Sequence, residues 1–175
     1  KSYKPINIPL KQVANSYYVE PNKMASKTES AFQSLRTDRL VEIGAGFTTI
    51  GNNKSEAIVS GVFKKDFKDY AAVKFNYGAQ VDVLPSTGRL QVTPTLGANI
   101  TAPKYYGIPV SLNVDIGPSF GNMNDNKNFS MGIRTGVGAK VNITDKIDVG
   151  VNYGHVFGIK NPSQNTVGLS IGFKF

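Results

Sequence analysis

Cysteine and tryptophan are absent from this 175-residue chain, and histidine occurs once. Without cysteine there is no disulfide framework and no thiolate metal site, and a single imidazole limits histidine-based catalysis and metal binding. No run of apolar residues approaches the length of about 18 that a transmembrane helix needs. The chain opens on a polar, basic stretch, so either it is not exported or a signal peptide has already been removed.

Positive charge is in excess, with 20 Lys and Arg against 12 Asp and Glu and a formal net charge of +8. Such an excess occurs in proteins that bind nucleic acids or anionic surfaces. Here the charged residues are scattered singly, without a basic run. We therefore interpret them as general charge of the surface and interior, and we predict no nucleic-acid partner.

From residue 40 to the end of the chain, polar and apolar residues alternate with a period of two. Val73, Phe75 and Tyr77, for example, share one face. Lys74 and Asn76 share the other. Successive side chains of a strand point to opposite faces, so the pattern predicts two-faced β-strands. The eight predicted strands are at residues 40–51, 54–66, 68–83, 88–101, 106–120, 128–143, 146–158 and 165–175.

Short runs of Gly, Asn, Pro and Asp, which favour turns, separate the predicted strands. Links this short join strands as hairpins, so we predict an antiparallel up-and-down order. The strand at 54–66 is the least clear, because apolar residues occupy both of its faces. Proline cannot donate a hydrogen bond to a sheet, so Pro94, in mid-strand on the apolar face, predicts a local bulge.

Three features favour a barrel whose apolar face contacts lipid. The polar face is rich in glycine, which suits a narrow eight-stranded lumen but costs about 0.5–1 kcal/mol relative to alanine on a solvated strand. Most predicted strands exceed the roughly 9–11 residues that a tilted membrane strand needs, and soluble strands typically have about 5–6. Aromatic residues gather near strand ends, as in the girdles of membrane barrels. The alternative is a soluble calycin-like barrel or β-sandwich.

The chain ends in alternating apolar residues with a terminal phenylalanine. These residues are Val167, Leu169, Ile171, Phe173 and Phe175. This stretch resembles the C-terminal signal that the barrel assembly machinery of the outer membrane recognises. With its even count of strands, the region 40–175 resembles the small outer-membrane barrels of the OmpA, OmpX and opacity-protein type. The resemblance implies an all-β, eight-stranded antiparallel transmembrane barrel in the outer membrane of a Gram-negative bacterium, with the signal peptide already removed.

The resemblance also implies that both termini lie in the periplasm. The links that would then face outward are 51–54, 84–88, 121–128 and 158–165. The links that would face the periplasm are 64–69, 102–106 and 144–146. Outer loops are usually the longer ones in such barrels, but the longest outward link here has only about eight residues. Family adhesins bind host molecules through long outer loops, so the short links weigh against that role.

The inward face of the predicted barrel carries four acidic and four basic candidate residues. They are Glu42, Lys74, Asp82, Asp115, Arg134, Lys140, Asp148 and Lys174. Unpaired buried charges are costly, so these residues need partners inside a narrow lumen. We interpret them as a salt-bridged interior that holds the barrel rigid, because eight strands leave little open channel. A charged gate or small pore is the alternative.

Some small outer-membrane barrels modify lipids, and such acyl chemistry needs a nucleophile, a base and an orienting group. His155 is the candidate imidazole, and no serine lies within two residues of it. Ser119, Ser130 and Glu42 could approach it across the barrel, but nothing in the sequence brings them together. Glycine pairs such as Gly136 and Gly138 lack the strand–turn–helix context of a dinucleotide site. We predict no enzyme activity, no metal site and no cofactor.

Residues 1–39 do not follow the barrel pattern and form a predicted N-terminal periplasmic arm. Prolines punctuate its first half, which predicts an extended segment, and Ser26 and Glu29 match a capping box that begins a short helix. The candidate docking residues of the arm are Ile6, Ile8, Tyr17, Tyr18 and Phe32. They are more apolar than a disordered leader requires, and an extended segment of this kind can add a strand to a partner's sheet. A flexible leader is the alternative.

The predicted function is structural. The barrel would anchor an envelope assembly, and its arm would engage a periplasmic protein or a neighbouring copy of the chain. Its other expected partners are outer-membrane lipid and, during biogenesis, the barrel assembly machinery. Two alternatives remain open, which are a surface-exposed binding protein of the opacity or adhesin type and a small passive pore.

Overall fold

A computed structural model describes residues 39–102, 109–123, 128–159 and 162–175. These residues form eight β-strands. The strands are β1 (Arg39–Ile50), β2 (Glu56–Tyr70), β3 (Val73–Leu84), β4 (Arg89–Thr101), β5 (Val110–Gly121), β6 (Ser130–Asn142), β7 (Ile147–Gly158) and β8 (Gln164–Lys174). In this described part of the chain, no helix is long and apolar enough to cross a membrane. The predicted arm lies outside the described residues apart from Arg39, and so do its docking candidates Ile6, Ile8, Tyr17, Tyr18 and Phe32.

The eight strands pair in chain order, each antiparallel to the next, and β8 pairs back with β1. The closing ladder runs from the pair Leu40 and Lys174 to the pair Ile50 and Gln164. Each strand therefore has a neighbour on both sides, which removes the open edges that an unclosed sheet would expose. The predicted all-β, eight-stranded antiparallel up-and-down barrel is confirmed.

The link between β2 and β3 differs from the prediction. We predicted a link at 64–69, but β2 continues to Tyr70 and β3 begins at Val73. The register of the β2–β3 ladder shifts between Asp66 and Lys68. A bulge of this kind inserts one residue and breaks the period of two, so the alternation ends before the strand does.

The bulge predicted at Pro94 is wrong. The register of β4 and β5 is the same on both sides of this residue, from the pair Val92 and Phe120 to the pair Leu96 and Ile116. The ladder instead lacks pairs at the three positions between them. Proline has no N–H to donate, so the ladder opens locally without inserting a residue.

Apolar side chains of the barrel face outward, and polar side chains face the lumen. Phe47 and Leu169 are 66% and 65% exposed, whereas Thr93 and Asp148 are 0% and 2% exposed. A water-soluble barrel would show the opposite distribution, because its apolar face would fill the interior. The outward apolar surface is the arrangement of a membrane barrel.

Two glycines on the barrel wall have contrasting surroundings. A Cβ atom added to Gly117 of β5 would overlap the carbonyl oxygen of Pro94 in β4, at the place where the ladder is open. A Cβ atom added to Gly61 of β2 would meet nothing within 4 Å. The close approach of β4 and β5 therefore depends on the missing side chain at Gly117.

We expect Gly117→Ala to destabilise the barrel by about 1–3 kcal/mol, because the backbone of β4 must move away from the added methyl group. The control Gly61→Ala should be neutral or stabilising by about 0.5–1 kcal/mol. Urea unfolding in lipid vesicles measures both free energies. Equal stability of the two variants would contradict the close approach.

Candidate functional site

Two ion pairs cross the lumen between strands that are not neighbours in the sheet. Lys140 of β6 donates from Nζ to Oε1 of Glu42 in β1. Lys64 of β2 lies with its Nζ 3.3 Å from Oδ2 of Asp115 in β5. All four side chains are at most 6% exposed. These pairs connect opposite walls of the barrel and occupy the space that a pore would need.

Asp115 also interacts with a second cation. Arg134 of β6 donates from Nη1 to Oδ1 of Asp115 at 2.5 Å. The guanidinium fits because Gly136 and Gly154 beside it have no side chains, and an added Cβ atom at either would contact Arg134. One carboxylate therefore lies between two cations, Lys64 and Arg134, in the middle of the barrel.

Two further ion pairs lie toward the end of the barrel that holds the C-terminal end of β8. Lys174 lies with its Nζ 3.3 Å from Oδ2 of Asp148 and also donates to Oδ1 of Asn142 at 2.5 Å. Lys74 has its Nζ 3.8 Å from Oδ2 of Asp66. These pairs join neighbouring strands, so they do not cross the lumen.

Asp82 is buried in the lumen and is held by neutral groups. Ser60 donates from Oγ to Oδ1 of Asp82 at 2.5 Å, and Gln80 donates from Nε2 to the same oxygen at 2.7 Å. Hydrogen bonds to a carboxylate stabilise its charge without a cation. The lumen thus combines direct ion pairs with a hydrogen-bonded acid.

Charged residues on the inward face of β2 were missed in the sequence. Lys64 and Asp66 lie on the inward face of β2, where they pair with Asp115 and Lys74. The apolar residues on both faces of this strand concealed their orientation. The alternation from Ile58 toward Lys64 is the signal that could have found them.

An unpredicted apolar cluster lies in the lumen at the end of the barrel that holds the β1–β2, β3–β4 and β5–β6 links, which we name the loop end. It consists of Ile50, Ile58, Leu84 and Met123, which are at most 6% exposed, and we name it the loop-end plug. Met123 follows β5, and Arg89 donates from Nη1 to its carbonyl oxygen at 3.0 Å. The plug places apolar side chains inside a polar lumen and so narrows the lumen at this end.

A small polar cavity remains among the ion pairs. Its volume is about 50 Å³. Its lining includes Glu42, Lys64, Asp115, Arg134 and Asn113. Oδ1 of Asn113 is buried without a hydrogen-bond partner among the described protein atoms. A cavity of this size has room for on the order of three to five water molecules, which would satisfy such atoms. The lumen is therefore a packed polar interior with a small polar cavity.

His155 lies on the outward face of β7. Its Nδ1 is 2.7 Å from Oδ1 of Asn165 in β8. Ser119 and Glu42 face the lumen. Ser130 donates from Oγ to the carbonyl oxygen of Gly121 at the end of β5. The barrel wall separates Ser119 and Glu42 from the imidazole, so the approach that we considered across the barrel is wrong for these two residues.

The candidate assembly signal lies on the outward face of β8 and at its end. Its residues are Val167, Leu169, Ile171, Phe173 and Phe175, which are 44% to 65% exposed. β8 forms the closing seam with β1 and pairs on its other side with β7. The strand that carries this candidate signal is therefore the strand that completes the barrel.

A family model described as the outer membrane protein beta-barrel domain matches residues 15–175. No match was found among the curated proteins. Among solved structures, the outer membrane enzyme PagL aligns with a TM-score of 0.58 and 13% identity, over 78% of this chain and 99% of PagL.

Two other solved structures have similar values. Neisserial surface protein A aligns with a TM-score of 0.56 and 15% identity, over 78% of this chain and 96% of its own. The N-terminal β-barrel domain of Pseudomonas aeruginosa OprF aligns with a TM-score of 0.51 and 14% identity, over 79% of this chain and 98% of its own. At these identities the likeness shows a shared fold.

We expect Lys140→Met to destabilise the barrel by about 3–5 kcal/mol, because Glu42 becomes a buried charge without its partner. Adding Glu42→Gln should recover most of that loss, since the charge is then removed. The control Lys146→Met, at an exposed turn, should change stability by no more than about 0.5 kcal/mol. Urea unfolding in lipid vesicles checks all three variants. If Lys140→Met is as stable as Lys146→Met, the cross-lumen pair does not support the fold.

Proposed function

This chain belongs to the outer membrane protein β-barrel domain family, and from that premise we propose that its role is structural. In this proposal the barrel resides in the outer membrane of a Gram-negative bacterium and anchors an envelope assembly. Its N-terminal arm, residues 1–39, engages a periplasmic protein or a neighbouring copy of the chain.

The occupied lumen is the observation that carries the proposal. The pairs Glu42–Lys140 and Lys64–Asp115 cross it, and the loop-end plug covers it at one end. A passive pore needs a continuous aqueous path, and an eight-stranded barrel is only just wide enough for its own side chains. The lumen therefore supports a rigid anchor more strongly than a pore.

The hairpins at the loop end favour the same role over surface binding. The links β1–β2 and β3–β4 are tight turns that use Gly51 and Gly88, whose φ angles are +57° and +67°. Gly88 donates its N–H to the carbonyl oxygen of Leu84 at 2.8 Å, so the turn is compact. Tight turns of this kind offer little area to a host molecule, which makes an adhesin the second candidate.

The arm is the part of the chain that suits a partner. Its basic residues outnumber its acidic ones, and its apolar residues Ile6, Ile8 and Leu10 alternate with other residues. The family match begins at residue 15, so part of the arm belongs to the matched region. An extended segment of this composition can add a strand to the sheet of another protein.

We also propose that the barrel is not an enzyme. Phe157 and Tyr153 lie on either side of His155 along the outward face of β7. The ring centroids of His155 and Phe157 are 4.2 Å apart, so Phe157 covers one side of the imidazole. Among the described residues, no serine or threonine hydroxyl is hydrogen-bonded to His155. A base without an adjacent nucleophile does not form the arrangement that acyl transfer requires.

Deletion of residues 1–38 should leave a folded barrel but abolish its specific complexes. The measurement is a pull-down from envelope membranes, with gel mobility compared before and after boiling to show that the barrel still folds. Replacement of Asn52 and Asn53 in the β1–β2 turn by serine is the control, and it should keep the complexes. A truncated barrel that retains every partner would refute the anchoring role of the arm.

The intact chain should show no steady conductance in a planar lipid bilayer, because its lumen is crossed by ion pairs and plugged. A heat-dependent shift in gel mobility confirms that the inserted protein is folded. Steady conductance of the folded chain would favour the pore over the structural role.

A further inference from the structure

Apart from tyrosines, the outward face of the barrel carries one row of uncharged polar side chains. The row consists of Thr135 in β6, His155 in β7, Asn165 in β8 and Thr49 in β1, and we name it the polar row. Elsewhere on the outward face of the eight strands, side chains of this kind are absent. The rest of that face is apolar or aromatic, apart from charged residues such as Arg39 at the opposite rim.

The polar row is continuous across four adjacent strands. Thr135 pairs with His155, and His155 pairs with Asn165. Asn165 pairs in turn with Thr49 across the closing seam. With strands about 4.8 Å apart, the row is on the order of 14 Å wide. Four scattered sequence positions therefore form a single surface.

Hydrogen bonds within the row orient its polar groups. Tyr153 donates from its hydroxyl to Oδ1 of Asn165 at 2.8 Å, and Nδ1 of His155 is 2.7 Å from the same oxygen. An amide oxygen only accepts, so Nδ1 carries the proton. When the ring is uncharged, Nε2 is an acceptor, and the amide nitrogen of Asn165 offers two donors. Both kinds of group are directed to the outside of the barrel wall.

The position of the row places it near the loop-end rim. Asn165 is the second residue of β8, Thr49 is the second last of β1, and His155 lies three residues before the end of β7. Apolar side chains adjoin it, and Phe47, Phe157 and Val167 are 66%, 54% and 59% exposed. Polar groups on a lipid-facing surface need hydrogen-bonding partners, because hydrocarbon provides none.

We propose that the polar row binds the headgroup of a sugar-containing lipid in the leaflet at the loop end. The hydroxyl groups of the sugar pair with Asn165, His155 and Thr135, and the acyl chains lie on the exposed apolar side chains beside the row. The row contains no lysine or arginine, which a phosphate headgroup would require for strong binding. This inference rests on the membrane location in the proposed function.

The single histidine of the chain makes the site directly observable. The folded protein, labelled with ¹⁵N at histidine, is placed in phosphatidylcholine bicelles, and a diacylglycerol with a disaccharide headgroup is added. We expect a saturable shift of the Nε2 signal of His155. Asn165→Val and Thr135→Val should each weaken the apparent affinity about fivefold, through the loss of a hydrogen-bonding group.

Tyr77→Phe is the matched control, because Tyr77 and Tyr153 are both outward-facing and both 44% exposed. Tyr77 pairs with Lys65, away from the row. Tyr153→Phe should weaken lipid binding, since it removes the hydroxyl that orients Asn165, whereas Tyr77→Phe should not.

Two results would overturn the inference. A His155 signal that does not respond to the sugar lipid would show that the row does not bind this headgroup. A signal that responds to the protein-to-lipid ratio instead would identify a second copy of the chain as the occupant. In either case, a heat-dependent gel shift of the same sample shows whether the membrane barrel itself is intact, so failure of this site is distinguishable from failure of the proposed function.

Discussion

Closure of the sheet between β1 and β8 is the constraint on which the rest of this structure depends. A membrane interior offers no water to unpaired backbone groups, so each strand needs a neighbour on both sides. The ladder from Leu40 to Ile50 provides the last of these pairings. With only eight strands, the closed sheet encloses a lumen barely wide enough for side chains. The narrow lumen then determines which residues can face inward.

The inward face meets this constraint with small residues and paired charges. Glycines such as Gly136 and Gly154 leave the space in which Arg134 lies. The cross-lumen pair of Glu42 and Lys140 compensates charges that would otherwise be buried alone, at a cost of several kcal/mol. Because these pairs join strands on opposite walls, the contacts that link the walls also occupy the lumen.

The outward face follows the opposite rule, because its solvent is hydrocarbon. Its side chains are almost all apolar, and the girdle aromatics lie near the strand ends. The polar row is an exception confined to four adjacent strands, with Asn165 accepting hydrogen bonds from Tyr153 and His155. The two faces of the wall thus support two separate proposals, a rigid structural interior and a lipid contact on the outside.

The sequence by itself determined the number of strands, their antiparallel order and, outside β2, the face that each strand residue occupies, since a period of two encodes orientation. It also placed Glu42 and Lys140 on the inward face. Only the tertiary structure decided that these two residues meet across 98 positions of sequence. It also decided that the bulge lies in β2 instead of at Pro94, that Met123 enters the plug, and that the polar row is continuous. Periodicity carries no information on register, and register is set by closure of the whole sheet.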